Sequence, residues 1–264
     1  MGTIGFFDSG VGGLTVLEAS RRRLDDLSFY YLGDTKHCPY GDRPLPEVRQ
    51  FALNAVRFLT EQGCEEIVMA CNISSSIALE PAREQFPDRT FHGLINDDLV
   101  QTVAERTRNG RVGVLATTGT VKSKFYPEQL EPAGVEVIQQ ACSPLVPMIE
   151  AGHLDGPLVR QTLEPLLDPL RRQNVDTIIL GCTHYPFLAP VMRDLLEDHV
   201  DLVDPGQVMA RRLETNYDSS RTENAQETFA ATGETTSIRT TLEEDLGYED
   251  VTVREVSTEG TVQP

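Results

Sequence analysis

The sequence predicts an α/β protein of two pseudosymmetric halves. Each half is a mainly parallel sheet covered by helices, and the active site lies in the cleft between them. Two observations carry this expectation. Short apolar runs bounded by glycine alternate with stretches of helical periodicity, the pattern of parallel strands covered on both faces. The chain also resembles itself. EEIVMACNI at 65–73 matches DTIILGCTH at 176–184, and IGFFDSGVG at 4–12 matches VGVLATTGT at 112–120. The spacing between the two motifs is nearly the same in each half.

The elements follow in order. Residues 3–7 (TIGFF) form a strand that stops at Asp8-Ser9-Gly10, and a helix starts at Leu14. Residues 28–32 form a second strand, stopping at Gly33-Asp34-Thr35. Between Pro44 and Gln62, Val48, Phe51, Ala52, Ala55, Phe58 and Leu59 recur at helical spacing. Residues 66–70 are a strand ending at Cys71, followed by a helix through 76–85, and 91–95 form a fourth strand. The second half has strands at 111–116, 135–139, 176–181 and 200–203. The first of these ends at Thr117-Thr118-Gly119 and the third at Cys182. An amphipathic helix spans 158–172, and another follows Pro186. From Asp218 the chain turns polar but keeps strand candidates at 228–231 and 251–256, so it reads as a closing segment rather than a tail.

Composition narrows the function. With 264 residues, 39% hydrophobic and 24% charged, the chain can bury a core. Its 41 acidic against 23 basic residues give a net charge of −18. That field repels nucleic-acid backbones and anionic lipid, so neither is an expected partner. No apolar run approaches the roughly 18 residues of a membrane span. The start, MGTIGFFDSG, lacks the basic segment of a secretory signal. The five cysteines, at 38, 64, 71, 142 and 182, are odd in number and scattered, which suits reduced thiols and a cytoplasmic location. Lysine occurs only at 36, 122 and 124. Acid-rich, lysine-poor composition fits a protein working in high salt.

The strand ends carry the chemistry. In open α/β sheets, ligands bind beyond the carboxyl ends of the strands. Those ends present Asp8-Ser9, Asp34-Thr35, Cys71-Asn72, Thr117-Thr118 and Cys182-Thr183-His184. Any one could be a helix cap; five together point to a site. Cys64 and Cys142 read as small buried hydrophobes, and Cys38, in a loop, reads equally as a passenger or a functional thiol. Cys71 and Cys182 each start an expected helix, where amides and the dipole lower a thiol pKa. His184 offers a proton partner to Cys182.

No C-x-x-C pair is present, and Cys-x-His alone is a poor zinc signature, so no metal is expected. A cysteine hydrolase would leave one thiol idle, and a redox dithiol would want closer spacing. Gly10, Gly12 and Gly13 lack the G-x-G-x-x-G spacing of a dinucleotide loop. The pair best suits proton chemistry at a carbon: one thiolate removes a proton from one face while the other thiol delivers one to the opposite face, with no cofactor.

At this point FDSGVGGLTVL (7–17), YLGDTKHCPYG (31–41), VLATTGTV (114–121), ACSPLVPMIEAG (141–152), LGCTHYPFL (180–188), LVDPGQ (202–207) and ATGE (231–234) resemble glutamate racemase, of the cofactor-independent aspartate/glutamate racemase superfamily. The resemblance runs from Ile4 to about Val256. It implies two α/β domains, 1–95 with 208–264 and 96–207. It also implies racemisation of glutamate, whose D-enantiomer serves peptidoglycan synthesis. By resemblance Cys71 deprotonates D-glutamate and Cys182 deprotonates L-glutamate. Asp8 assists the first thiol and His184 the second, with Glu150 paired to His184. Substrate contacts are implied for Asp8, Ser9, Tyr40, Gly41, Asn72, Thr118, Thr183, His184 and the position of Ile73. Family members associate in several ways, so a homodimer is one expectation.

Two departures bear on specificity. Ile73 stands where the family usually has Thr, and Asn96-Asp97-Asp98 replaces its Glu-Pro-Gly. Aspartate or another acidic amino acid is therefore a second substrate reading. A non-catalytic protein that kept the cleft is a third.

Overall fold

A computed structural model describes residues 2–24, 27–217 and 225–259. Among these residues ten strands form two sheets. The first sheet takes β1 (Thr3–Asp8), β2 (Phe29–Gly33), β3 (Cys64–Met69), β4 (Thr90–Gly93), β9 (Glu227–Ala231) and β10 (Val253–Glu255), in the order β10-β9-β2-β1-β3-β4. The second takes β5 (Arg111–Ala116), β6 (Glu136–Ala141), β7 (Thr177–Gly181) and β8 (Asp201–Val203), in the order β6-β5-β7-β8. Every strand pair is parallel. The segment β2-β1-β3-β4 therefore has the same order as β6-β5-β7-β8. The repeat seen in the sequence maps β1 onto β5 and β3 onto β7.

Parallel strands need crossovers, and helices supply them. In chain order they are α1 (Leu14–Arg21), α2 (Leu45–Glu61), α3 (Asn72–Gln85), α4 (Asp97–Arg106), α5 (Thr118–Ser123), α6 (Phe125–Leu130), α7 (Leu145–Glu150), α8 (Pro157–Arg172), α9 (Ala189–Leu195), α10 (Pro205–Asn216) and α11 (Thr236–Thr240). In α2 the proline before the first turn presets its start. Val48, Ala52, Ala55, Val56 and Leu59 form its buried stripe. In α8 the stripe is Val159, Leu163, Leu167 and Leu170. Each such leucine contributes about 1.5–3 kcal/mol by leaving water. Cys64 and Cys142 are wholly buried among apolar neighbours, as small hydrophobes.

Several boundaries differ from the sequence reading. The fourth strand ends at Gly93 rather than at 95, because the Leu94 amide turns to donate to Ser75 Oγ at 3.0 Å. Asn96 then caps α4: its Oδ1 accepts from the Leu99 amide at 3.1 Å and its Nδ2 donates to the Gly93 carbonyl at 2.8 Å. Asp97 and Asp98 fall in the first turn, where carboxylates suit the helix dipole. The acidic triplet that replaces Glu-Pro-Gly thus does the work of a helix start. The sixth strand runs to Ala141 rather than 139. The strands expected at 228–231 and 251–256 exist as β9 and β10. Residues 218–224 of that closing segment lie outside the described residues.

Candidate active site

The carboxyl ends of the two sheets meet across a cleft. Its walls include Ser9, Tyr40, Gly41, Cys71, Asn72 and Ile73 from the first sheet's side, and Thr117, Thr120, Cys182, Thr183 and His184 from the second. The walls touch closely enough to need glycine. The Gly119 amide donates to the Gly41 carbonyl at 2.7 Å, and a Cβ on Gly41 would come within 2.9 Å of Thr117 Cβ. A cavity of about 30 Å³ remains at the centre, room for about two waters. A larger open groove between α1 and α10 holds neither thiol nor histidine.

Asp8 ends β1 with its side chain fully buried. Oδ2 accepts from the Gly10 amide at 3.0 Å, and Oδ1 accepts from the Thr183 hydroxyl at 3.2 Å. Burial raises its pKa; His184 and the amides of Gly10 and Gly13 oppose that. The Cys71 thiol lies 4.0 Å from Ser9 Oγ.

Cys71 is the N-cap residue of α3. Its thiol is pushed up to about 12, first by burial and then by the Asp8 charge, while the Ser74 hydroxyl and amide pull it down. The expectation that a helix start lowers this pKa is overturned: desolvation and a carboxylate outweigh the amides. Cys71 is therefore held as a thiol.

Cys182 follows β7 directly. No α-helix starts there: a turn and a 3₁₀ segment, Tyr185–Leu188, precede α9. The sulfur has the imidazole instead, with His184 Nδ1 at 3.8 Å. His184 Nε2 meets Glu150 Oε1 at 2.7 Å. Burial alone lowers the His184 pKa, but the bonds to Cys182 and Glu150 raise it to about 10. Glu150 moves the other way: burial raises its pKa, but the bond to His184, the His184 charge and donors from Cys38 and the Val11 amide together more than offset this. The pair is an imidazolium and a carboxylate at neutral pH. The Cys38 thiol also donates to Glu150, at 3.6 Å across the cleft.

The remaining expected residues sort by where they point. The Tyr40 hydroxyl donates to buried Asp34, which also bonds the Thr232 hydroxyl and His37. Tyr40 thus offers the cleft its backbone, together with that of Gly41. Asn72 Oδ1 accepts from the Tyr126 hydroxyl at 2.7 Å, and its Nδ2 is buried without a partner. Thr118 does not line the cleft. Its hydroxyl and amide bond Ser143 Oγ, both at 2.9 Å. Thr117 and Thr120, on the cleft wall, share a hydroxyl contact of 3.1 Å. Ile73 turns an apolar side chain to the wall. Thr120, Val146 and Tyr126 escaped the sequence reading; none stands at a strand end. Among the described residues no group of three or more His, Cys, Asp or Glu side chains converges as a metal site.

Comparison with known proteins bears on this geometry. The model of the Asp/Glu/hydantoin racemase family matches residues 15–213. A glutamate racemase of Pseudomonas aeruginosa is 44% identical over 213 residues, 80% of each chain. The crystal structure of a glutamate racemase isoform from Bacillus anthracis superposes with a TM-score of 0.89 at 32% identity, covering 97% of each chain. A glutamate racemase from Francisella tularensis, solved in complex with D-glutamate, gives a TM-score of 0.88 at 29% identity, covering 97% of this chain and 98% of its own.

Proposed function

The chain belongs to the Asp/Glu/hydantoin racemase family and is a cofactor-independent amino-acid racemase, and we propose that it interconverts L- and D-glutamate with Cys71 and Cys182 as the two acid–base groups. The observation that carries this reading is the pairing of equivalent positions. Each thiol follows the same strand of its half, β3 or β7, and both open onto one cleft.

In the L-to-D direction the Cys182 sulfur takes the α-proton, breaking the Cα–H bond and leaving its electron pair on carbon. The Cys71 thiol gives its proton to the opposite face. The chain ends with a protonated Cys182 and a deprotonated Cys71, ready for the reverse direction or for resetting through solvent. The high pKa of Cys71 suits the donor in this step. The His184–Glu150 pair places positive charge beside the sulfur that must act as base. The α-carbanion beside a carboxylate needs fixed donors in a dry site. Backbone amides at Tyr40-Gly41 serve the side-chain carboxylate, and Ser9, Asn72 and Thr183 the α end.

In this reading the two domains are 1–95 with 208–264 and 96–207, and the protein works in the cytoplasm, supplying D-glutamate to cell-wall peptidoglycan. Ile73 favours a second reading in which aspartate or another acidic amino acid is the better substrate. Circular dichroism tests both: L-glutamate with purified protein should decay toward zero signal without added cofactor. A flat trace for glutamate with decay for aspartate selects the second reading. Flat traces for both amino acids, in either enantiomer, overturn catalysis.

A further inference from the structure

We infer that Tyr126 is a positioning residue that sets the sense of the Asn72 amide, so that Asn72 donates a hydrogen bond to the substrate's carboxylate. The inference rests on glutamate being the substrate.

Tyr126 sits in α6, in the second half, with no solvent exposure. It packs among Val112, Val114, Ala116 and Ile179, the core beneath β5 and β7. Only its hydroxyl leaves that core, and it crosses to the first half to donate to Asn72 Oδ1 at 2.7 Å. Asn72 is the first residue of α3, next to Cys71, and lines the cleft.

An asparagine amide offers two donors on one side and an acceptor on the other. Here the acceptor is occupied and the donor Nδ2 is buried with no partner. A buried amide without a partner is costly, so it marks a group awaiting one. The substrate brings carboxylates, which need donors, and an ammonium, which needs acceptors. With Oδ1 tied to Tyr126, the NH₂ group is the part of this cleft-lining residue left free for a ligand. A half-turn of the amide would put a carbonyl oxygen there instead, against an anion. The tyrosine hydroxyl can donate or accept, but a phenol donates more strongly than it accepts, so it favours the sense in which Oδ1 faces the ring.

The bond also spans the cleft. Tyr126 reaches Asn72 only while the halves are together, so parting them frees the amide. The Gly119–Gly41 bond crosses the same gap.

Tyr126→Phe removes one oxygen and keeps the ring that fills the core. The KM for glutamate is expected to rise about tenfold, the scale of one hydrogen bond to a charged group, while kcat stays within a factor of about two. Asn72→Ala should raise KM at least as much. In the Asn72→Ala background, Tyr126→Phe should then add nothing, because the amide it orients is gone. Two results overturn the inference: a Tyr126→Phe enzyme with unchanged KM, or effects of the two substitutions that simply multiply. A wild type that fails to racemise glutamate overturns the substrate reading itself, and with it this assignment. A wild type that works beside an unaffected Tyr126→Phe overturns the tyrosine's role alone.

Discussion

Replacing Glu150 by Gln keeps the shape of the His184 partner and removes its charge. In the native protein His184 Nε2 and Glu150 Oε1 are 2.7 Å apart, with side-chain exposures of 3% and 26%. A hydrogen bond to a charged group at such a site is worth about 1.5–3 kcal/mol, so the variant should lose about 2 kcal/mol near neutral pH. The loss should depend on pH in a definite way. His184 has a folded pKa raised from 6.5 to about 10. Stability from a raised pKa is fully present below the unfolded value and fades as pH rises through the folded one. Glu150 has a lowered pKa, from 4.5. Its contribution is present above that value and fades as pH falls through the folded one. The gap between wild type and variant should therefore be widest between pH 4.5 and 6.5 and shrink toward pH 10. Urea unfolding of both proteins across that range measures it, and other alkaline titrations, shared by both, cancel. A gap that stays constant from pH 6.5 to 10 would show that His184 is neutral in the native protein, and the imidazolium at Cys182 would be refuted.

Two residues and the charge of the whole chain give three further outcomes. Ser74→Ala removes a buried hydroxyl, with no other partner, that lowers the Cys71 pKa; the rise of D-glutamate turnover with pH should move to higher pH while the L-glutamate profile stays, as paired pH–rate curves would read. Ile73→Thr should lower the glutamate KM by about tenfold if a hydroxyl is a missing contact, at a cost of about 1–2 kcal/mol in unfolding stability for the lost packing; an unchanged KM shows the position is not limiting. With a net charge of −18, activity and stability should both rise from low to molar salt, where the Debye length is about 3 Å; indifference to salt ends the high-salt reading.

Much of this was legible in the sequence because parallel strands announce themselves. A buried strand is a short apolar run, and the glycine or hydroxyl residue that stops it marks the end where ligands bind. Asp8, Cys71, Thr117 and Cys182 were visible for that reason. The duplicated strand order was visible only as a faint repeat, because pairing partners leave no mark on either strand. Three things could not be read. The resemblance assigns Thr118 to the cleft, yet the chain turns into α5 there, so Thr117 and Thr120 share a face and Thr118 looks toward Ser143. A helix start alone predicts a lowered Cys71 pKa, but burial and Asp8, from another strand, raise it. Tyr126 meets Asn72 across the cleft, and nothing near either residue records a partner in the other half.

The most direct test of the two-thiol reading is exchange of the α-hydrogen in deuterated water, with Cys71→Ser and Cys182→Ser and each enantiomer alone. Cys71→Ser should slow wash-in of deuterium from D-glutamate far more than from L-glutamate, and Cys182→Ser the reverse. Equal exchange of both enantiomers by both variants, at wild-type rates, would mean that neither sulfur carries the proton.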